Sequence, residues 1–487
     1  MRTQLFTCPS GDGDTSVLVL MRRAGILLSA DCGGRGTCGK CRVRFLSGAP
    51  DPDETEKKKL SERDLAEGYR LACRCRPAGP FTVEYCLRDE SIAAESIACD
   101  TAGENGQRPV KKTAAVDVGT TTIAAALVDT AIGSVLDVRT GVNHQRAYGA
   151  DVISRIQASN EGKGEALRQI VRADLDDLIS AMGEDPAVIP TVIAGNSTMQ
   201  HLLQGLSCRT LGVAPFTPVD ISLHRRGNYL YLPGISTYVG ADIVAGIVST
   251  GMDRQEEISM LIDLGTNGEM ALGNKDRILA ASTAAGPAFE GGNISCGVAG
   301  IPGAVSRVTI TGGQAVTETI GGLKPVGLCG TGVLEVMFEL LKEGIVDETG
   351  LMDEMYDDEG FPVAEGIFFT DRDVREVQLA KAAIHAGALT LIREYGISCE
   401  EISHLYLAGG FGQQIDLVKA AGIGLLPEEL VKKASAVGNS SLKGAVLATA
   451  SPEIRERFER AVQISKEVSL ADSKVFSELF IESMYFA

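Results

Sequence analysis

Four cysteines near the amino terminus have the spacing of a metal-ligand set. They follow the pattern C-x5-C-x2-C-x31-C and are Cys32, Cys38, Cys41 and Cys73. A [2Fe-2S] cluster needs four thiolates, and its plant-type spacing is C-x4-C-x2-C with a distant fourth ligand, so the first interval here is one residue longer. Glycines within this stretch let a loop wrap closely around a cluster and aim backbone N–H groups at its sulfurs. These are Gly33, Gly34, Gly36 and Gly39. We therefore predict a [2Fe-2S] site in this loop.

Alternatives to this interpretation remain at the sequence level. Cys75 is the alternative fourth ligand, although the strand-like Arg-Leu-Ala before Cys73 favours Cys73. Structural zinc commonly takes two short C-x2-C knuckles, and only Cys38 and Cys41 form one. A Walker phosphate loop requires a hydroxyl where Cys41 stands, and a helix where RVRFLSG is typical of a strand.

Seven cations surround the predicted cluster in sequence. They either offset the charge of the cluster or form a basic rim that docks an acidic redox partner. The seven are Arg35, Lys40, Arg42, Arg44, Arg70, Arg74 and Arg76.

A second kind of chemistry is indicated by a pattern that occurs twice, AAVDVGTTTIAAALVD at 114–129 and SMLIDLGTNGEMALG at 259–273. Each copy is an apolar strand, an Asp, a Gly-Thr turn and a second apolar strand. The turn offers N–H and hydroxyl donors to a phosphate, and Asp117 and Asp263 can hold Mg²⁺ directly or through water. The donor residues of the turns are Gly119, Thr120, Thr121 and Thr122 in the first copy, and Gly265, Thr266, Asn267 and Gly268 in the second.

Two glycine turns complete the predicted nucleotide site. In HLYLAGGFGQQIDLVKAAG an apolar strand runs into a glycine cluster and then a helix, which permits flat contact with adenine and ribose and favours a phosphate at the helix start. GLCGTGVLEVMFELL is a similar turn, at Gly330, that opens an amphipathic helix. Each turn alone is equally consistent with a tight strand-to-helix connection. The glycine cluster is Gly409, Gly410, Phe411 and Gly412.

Composition restricts the partners and the cellular location. The formal net charge of -18 argues against nucleic acid and anionic membranes, because an acidic surface repels phosphates. No apolar run approaches the roughly 20 residues that span a bilayer. We therefore expect a cytoplasmic protein. In that reducing compartment the clustering of eight of the twelve cysteines in the first 99 residues favours metal or redox chemistry over disulfides.

The chain divides into a cysteine-rich unit and a larger α/β unit. The stretch SIAAESIACDTAGENGQRPVKK is small, polar and aperiodic, as linkers are. We predict units at 1–91 and 113–487 with a linker at 92–112, and two duplicated subdomains at about 113–255 and 256–487. A long helix is predicted after Thr370, its capping residue with Asp373, with an apolar face. That face comprises Val377, Ile384, Ala388, Leu391 and Tyr395.

In this order, the two phosphate motifs and the adenosine motif resemble those of the ASKHA superfamily of sugar kinases, actin and heat-shock chaperones. With the cysteine loop and the stretches AGNSTMQHLL, STAAGPAFEGG, GLCGTG and AGGFGQQID, nearly the whole chain is similar to the reductive activators of corrinoid proteins. The resemblance implies an α+β ferredoxin-like (β-grasp) domain followed by a duplicated α/β ASKHA domain. Members commonly have a longer connection between the cluster and the ATPase, so the short linker leaves the relative placement of the domains open.

The resemblance also implies an activity. An activator of this family uses ATP and a [2Fe-2S] cluster to return an inactive Co(II) corrinoid protein of a methyltransferase system to Co(I) by one electron. An external low-potential donor refills the cluster, and dimerisation through the ATPase unit is suggested. The alternatives are an ASKHA-type small-molecule kinase with a regulatory iron–sulfur domain, and a non-catalytic redox-sensing scaffold.

Further residues are assigned roles on weaker patterns. The base-off corrinoid-binding pattern Asp-x-His-x-x-Gly is absent, since Asp220 precedes His224 by two residues too many, so the cobalt should arrive on a partner. Glu290 in PAFEGG is the extra carboxylate for positioning a water or contacting that partner, with a surface-loop glutamate as the more common alternative. Asn196 and Ser197 either line the cleft or shape a turn.

Overall fold

The computed structural model describes residues 2–28, 30, 32–87, 111–356 and 358–486. The predicted linker at 92–112 lies outside the described residues as far as residue 110. No helix in these ranges has the length and apolar character needed to cross a membrane.

The amino-terminal unit is a four-stranded antiparallel sheet with a helix packed on it. Its strands lie in the order β1-β4-β2-β3. Helix α1 begins after Ser16, whose hydroxyl accepts from the Val19 N–H, and buries Val17, Leu18 and Met21 against the sheet. This confirms the predicted α+β unit. Its elements are β1 (Arg2–Cys8), α1 (Val17–Arg23), β2 (Arg42–Ser47), α2 (Glu54–Lys59), α3 (Glu62–Ala66), β3 (Tyr69–Leu71) and β4 (Phe81–Leu87).

The larger unit begins with a half built on the first repeat. An antiparallel meander forms one side of its sheet, and a parallel strand lies against β5 on the other. Its elements are β5 (Lys112–Val118), β6 (Thr122–Asp129), β7 (Ser134–Val142), α4 (Val152–Ala158), α5 (Gly164–Ala181), β8 (Thr191–Gly195), α6 (Ser197–Gln204), β9 (His224–Arg226), β10 (Tyr229–Tyr231) and α7 (Ala241–Thr250).

The second half repeats this plan on the second motif and adds two small sheets. Its first elements are β11 (Ser259–Leu264), β12 (Gly268–Gly273), β13 (Ile278–Thr283), β14 (Ala304–Thr311), β15 (Gln314–Thr319), β16 (Gly327–Leu328), α8 (Gly330–Lys342), β17 (Phe361–Ala364), β18 (Ile367–Phe369) and α9 (Asp371–Tyr395). The remaining ones are β19 (His404–Ala408), α10 (Gly410–Gln414), α11 (Leu417–Gly422), α12 (Glu428–Val431), β20 (Ala434–Gly438), α13 (Ser440–Ala448), α14 (Pro452–Ile464), β21 (Ser465–Glu467) and α15 (Lys474–Glu482).

The strand orders make the duplication visible. The first sheet runs β7-β6-β5-β8-β10-β9, and the second runs β20-β19-β11-β12-β13-β21. In each, the strand that carries the Asp pairs antiparallel with its hairpin partner and parallel with a later strand, β8 or β19. The duplicated α/β fold predicted from the repeat is therefore confirmed.

Helices α7 and α13 pack against each other where the halves meet. A Cβ on Gly444 would lie 2.4 Å from the Ala245 carbonyl oxygen, and one on Gly246 would lie 3.0 Å from the Ser440 hydroxyl. Because neither glycine has a side chain, the two backbones approach closely and bring both helix starts towards the Asp hairpins.

The long helix predicted after Thr370 is confirmed as α9. Thr370 and Asp373 form the capping box, and Gly396 ends the helix at φ 87°. The predicted apolar face packs against β12 and β13, with Val377, Ile384 and Leu391 fully buried. This helix therefore supports the back of the second hairpin.

Candidate functional site

The cysteine loop lies between α1 and β2. Together with Cys73, which follows β3, it holds four thiols in two pairs. The Cys38 thiol donates to the Cys32 sulfur at 3.4 Å, and a hydrogen bond between the Cys41 and Cys73 thiols raises the pKa of Cys41. Cys38 also lowers the pKa of Cys32 to about 3, so the first pair retains a thiolate, the form that binds metal. Within the described ranges, no three His, Cys, Asp or Glu side chains converge as around a single ion. Two pairs of sulfurs match a two-iron cluster with four thiolate ligands.

Glycine is required for the path of this loop. Gly34 has φ 94° and Gly36 has φ 83°, both in the left-handed region that side chains disfavour. A Cβ on Gly36 would also lie 2.8 Å from the Arg74 side chain. The predicted close wrapping of the backbone is therefore what the loop adopts.

Cys75 points away from the other thiols. It is buried, and its thiol donates to Glu56 Oε1 at 3.4 Å. Glu56 is fixed in turn, since it accepts from the Leu71 N–H at 2.8 Å and belongs to the capping box of α2. Burial raises the pKa of Cys75 and favours the neutral thiol. This geometry favours Cys73 as the fourth ligand.

Most of the predicted basic rim is engaged within the amino-terminal unit. Arg42 pairs with Asp64 at 2.6 Å, and Arg74 pairs with Asp53 at 2.7 Å. Arg70 is buried and donates to backbone carbonyls. Charges neutralised inside the unit contribute little to attracting a partner, so these contacts favour a structural role for this set.

The two Asp hairpins face each other across the halves. The Thr121 and Thr266 hydroxyls are 3.1 Å apart, although 145 residues separate them in sequence. Glu290 lies between them and accepts from Thr266 at 2.6 Å and from Thr121 at 3.3 Å. Burial raises the pKa of Glu290. The interpretation of Glu290 as a surface-loop residue is therefore wrong, because its carboxylate joins the two turns.

Asp117 is bound from the opposite half. It accepts from the Ser441 hydroxyl at 2.6 Å and from the Asn439 amide at 2.9 Å, both at the start of α13. Burial raises the pKa of Asp117, and these two hydrogen bonds oppose the increase. Sequence reasoning missed both partners, because the only signal was a second small-polar helix start after a strand.

Two further acidic residues, also missed, lie beside the hairpin aspartates. Burial, followed by the charge of Asp117, raises the pKa of Asp242 to about 7. Glu269 is directly opposite Asp263 in the β11–β12 hairpin, and its pKa is raised by burial and then by the charges of Asp242 and Asp263. The register of the hairpin could have identified Glu269, whereas Asp242 carried no signal beyond its place after Gly240. These buried carboxylates raise one another's pKa, although among the described residues they do not converge as ligands around a single ion.

The glycine cluster lies directly beside the second hairpin. Gly409 has φ 88°, and a Cβ there would lie 2.8 Å from the Leu264 carbonyl oxygen and 2.9 Å from Asp263 Oδ1. Gly195 occupies the corresponding position in the first half, with φ 133° and a hypothetical Cβ 2.6 Å from the Val118 carbonyl oxygen. The strands that end at these glycines thus present the same edge to the cleft.

The other predicted turn residues differ in what surrounds them. Gly119 is needed for a tight turn, since a Cβ would lie 2.5 Å from the Thr122 carbonyl oxygen, whereas a Cβ on Gly265 would make an ordinary contact, 3.7 Å from the Asn267 carbonyl oxygen. Asn196 caps α6 and also donates to the Thr120 hydroxyl at 3.0 Å, so it both shapes the turn and reaches the hairpin. Asn267 donates to Glu269 at 3.0 Å, and Gly268 packs against Thr283.

Residues of the two glycine turns pack around Phe289, which precedes Glu290 in the chain. A Cβ on Gly330 would lie 1.8 Å from the Phe289 carbonyl oxygen, and the Phe411 ring stacks on Phe289 with centroids 5.0 Å apart. Helix α10 begins inside the glycine cluster, at Gly410, and has five residues, so it is too short to offer the helix-start phosphate site that was predicted. Gly410 is exposed beside the cleft, and Gly412 is buried.

Comparison with known proteins agrees with this architecture. Residues 3–78 match the 2Fe-2S iron-sulfur cluster binding domain, residues 113–255 the RACo middle region, and residues 257–487 the C-terminal ASKHA domain of RACo. The corrinoid activation enzyme RamQ of Eubacterium limosum is 33% identical over 418 residues, which cover 76% of this chain and 70% of that protein. The chain belongs to the family of reductive activators of corrinoid proteins. Within this family, its amino-terminal unit is the iron–sulfur cluster binding domain.

Two further relatives support the family assignment. The [Co(II) methylated amine-specific corrinoid protein] reductase of Methanosarcina barkeri is 32% identical over 284 residues, which cover 51% of this chain and 50% of that protein. A solved structure titled "Reductive activator for corrinoid,iron-sulfur protein" superposes with a TM-score of 0.70 at 28% identity and covers 98% of this chain and 96% of its own. The fold of this activator family therefore extends across both units of the chain.

Proposed function

We propose that this protein is an ATP-dependent reductive activator that returns the Co(II) of a corrinoid protein to Co(I) by one electron, within a corrinoid-dependent methyltransferase system. The observation that carries the proposal is the combination of two sites in one chain. Two thiol pairs form where the amino-terminal loop meets Cys73, which follows β3, and two Asp hairpins meet at Thr121 and Thr266. The names of its relatives, which describe corrinoid activation and Co(II) reduction, support the choice of substrate.

The thiols would hold the cluster as they are already paired. Cys32 and Cys38 would bind one iron, and Cys41 and Cys73 the other. When bound, the cluster supplies the single electron that converts Co(II) to Co(I), and an external low-potential donor replaces it. The chain binds the cluster with four thiolates, excludes water from buried Cys32, Cys41 and Cys73, and holds Cys75 apart through Glu56.

The nucleotide would bind between the hairpins. Asp117 and Asp263 would hold Mg²⁺, while the backbone and hydroxyl groups of the two turns donate to the phosphates. Glu290, raised in pKa and already an acceptor from both turns, would orient the attacking water. Gly409 and Gly410 leave a surface without side chains for the adenosine, with Gly412 buried in the same turn, and ATP hydrolysis would make the electron transfer effectively one-way.

The remaining assignments belong to the same proposal. We place the domain boundaries at 1–91 and 113–487 with a linker between them, and the subdomains at about 113–255 and 256–487. The partners are a corrinoid protein and an external electron donor in the cytoplasm, with a homodimer formed through the ATPase unit.

An anaerobic spectroscopic assay tests the proposal. The reconstituted protein is reduced, mixed with a Co(II) corrinoid protein, and followed by absorbance for Co(I) with and without MgATP. We expect Co(I) only with MgATP, and we expect Cys73→Ser to abolish it while the matched variant Cys75→Ser retains it. If no corrinoid partner from a methyltransferase system yields ATP-dependent Co(I), the proposed function is wrong.

A further inference from the structure

The iron–sulfur loop rests on a segment of the ATPase unit, residues 143–155. Arg22, near the end of α1, places its guanidinium carbon 4.4 Å from the centre of the Tyr148 ring and donates to the Ala147 carbonyl. Arg35 spans the same boundary, since it donates to the Cys32 carbonyl at 2.9 Å and lies 3.5 Å from the Ser154 hydroxyl. A Cβ on Gly33 would lie 3.0 Å from the Tyr148 carbonyl oxygen. The loop backbone therefore touches this segment directly.

The same segment holds the first phosphate turn on its other side. The Asn143 amide donates to the Gly119 carbonyl at 2.9 Å. Fully buried Arg155 donates to the Thr120 carbonyl at 2.6 Å and to the Gly149 carbonyl at 2.9 Å. Both side chains thus fix the backbone of the turn that carries the predicted phosphate donors.

Arg22 is also the link to the charge of the cluster site. Burial lowers the pKa of Arg22, whereas negative charge on Tyr148, Cys41, Cys73 and Cys32 raises it, so the thiols are near enough to act on its guanidinium. Its Nε atom is buried without a hydrogen-bond partner among the described residues. The side chain, near the end of the helix that leads into the cysteine loop, therefore stacks on Tyr148 within electrostatic range of the cluster thiols.

We propose that Arg22, stacked on Tyr148, is the positioning residue that couples the iron–sulfur loop to the first phosphate-binding turn. The inference rests on the proposed function, because it requires both a cluster and a nucleotide. A cluster that gains an electron attracts Arg22 more strongly, and a phosphate that shifts Gly119 and Thr120 moves the segment beneath Tyr148. The cluster and the nucleotide would each shift the contact between Arg22 and Tyr148, so a change at one site would be transmitted to the other.

Charge and stacking are separable by substitution. Arg22→Met removes the charge and keeps much of the length, whereas Arg22→Lys keeps the charge but loses the flat guanidinium that stacks on the ring. Tyr148→Phe retains the stacking surface, and Tyr148→Ala removes it. The neighbouring exposed Arg23, changed to Met, is the matched control.

Two measurements on the cluster-loaded full chain test the coupling. A redox titration followed by electron paramagnetic resonance gives the midpoint potential, and hydrogen exchange of residues 32–41 and 143–149 is compared with and without a non-hydrolysable ATP analogue. We expect Arg22→Met to lower the midpoint potential, since a nearby cation favours the reduced cluster, and Arg22→Lys to leave it nearly unchanged. Both variants and Tyr148→Ala should speed exchange at 143–149 by roughly 3- to 30-fold, the range of a cation–π contact.

The response of the loop to nucleotide decides the matter. We expect the analogue to slow exchange at 32–41 in the wild type, Tyr148→Phe and Arg23→Met, and to have no such effect in Arg22→Met or Tyr148→Ala, all at equal analogue affinity. A wild-type loop that ignores bound analogue, or an Arg22→Met protein that responds like the wild type, would overturn the inference while the Co(I) assay still stands. Failure of the wild type to bind the analogue at all would instead remove the proposed function.

Discussion

The two halves of the ATPase unit share one plan but hold their aspartates differently. In the first half, Asp117 receives its hydrogen bonds from Asn439 and Ser441, which belong to the second half. In the second half, Asp263 lies against Gly409 and opposite Glu269, both from its own sheet. The two hydrogen bonds to Asp117 therefore depend on how the halves are placed, whereas Gly409 and Glu269 beside Asp263 belong to its own half.

The two aspartates of the duplicated fold therefore differ in the contacts that surround them. Asp263 lies against Gly409 and opposite Glu269, which belong to its own half. Asp117 is oriented correctly only when α13 is seated at the junction of the halves. A repeat in the sequence thus predicts two equivalent carboxylates, whereas the contacts between halves make them mechanically unequal.

The largest expected effect comes from neutralising each aspartate. Asp263→Asn and Asp117→Asn should each lower ATP turnover about 100-fold or more. Each substitution removes a negative charge that, in the proposed function, holds Mg²⁺ beside the phosphates. Asp117→Asn should also lower the melting temperature markedly, since it disturbs the hydrogen bonds from Asn439 and Ser441 between the halves. Steady-state phosphate release and calorimetry provide the two readouts, with exposed Asp276→Asn as the control. A melting temperature of Asp117→Asn equal to that of the control would contradict the role of these bonds between the halves.

A smaller effect is expected from removing only the Ser441 hydroxyl, which donates to Asp117 from the other half. Ser441→Ala deletes the 2.6 Å bond to Asp117 and leaves the charge in place. ATP turnover should fall roughly 10-fold, the cost of a charge-assisted hydrogen bond of about 1.5 kcal/mol. The neighbouring Ser440→Ala, whose hydroxyl does not contact Asp117, controls for disturbance of the helix start. A loss with Ser440→Ala as large as that with Ser441→Ala would contradict the assignment.

Gly409 and Gly195, the corresponding glycines of the two halves, can be compared by their effects on stability and on nucleotide binding. Gly409→Ala and Gly195→Ala both place a Cβ at positive φ and against a carbonyl oxygen, so each should lower the free energy of unfolding by about 1–3 kcal/mol. Gly409→Ala should in addition weaken nucleotide binding, because its Cβ would also press on Asp263. Urea unfolding and titration with a fluorescent ATP analogue measure the two effects. Matching affinity losses in both variants would show that strain alone is responsible.

The smallest effect concerns Asp242, whose charge acts on both halves. Its pKa is raised to about 7 in the folded chain from an unfolded value of 3.8. The stability associated with its protonated form is therefore fully present below pH 4 and is lost as pH rises through about 7. Asp242→Asn should remove the part of the decline of unfolding free energy between pH 5 and pH 7.5 that this carboxyl causes. Urea titrations at those two pH values measure it, and an unchanged slope would contradict the shift.

Local patterns carried much of the fold and part of the site. The repeated Asp-x-Gly-Thr hairpins, the cysteine loop and the capped helix after Thr370 all follow from short-range spacing, and the structure contains them where the sequence predicts them. Residues that act over long sequence separations were not accessible in this way. Asn439 and Ser441 lie more than 300 residues from Asp117, and only the packing of α7 on α13 brings them there.

Glu290 and the five-residue α10 are two further features that the sequence pattern did not predict correctly. A glutamate among glycines is typical of an exposed loop, and only the meeting of Thr121 with Thr266 places this one inside. The length of α10 is limited because the chain turns at Ile415 and a new helix is capped by Asp416. Similarly, the choice between Cys73 and Cys75 depended on Glu56, whose position no cysteine spacing encodes.

The attachment of Asp117 to Ser441 also bears on how the molecule is made. A chain that emerges from the ribosome amino terminus first completes the strands of its amino-terminal unit at residue 87, long before residue 441 exists. The first hairpin is then present for some 320 residues of synthesis without the donors that orient its carboxylate. The amino-terminal unit can therefore fold in a nascent chain before the two halves of the larger unit are joined at Asp117.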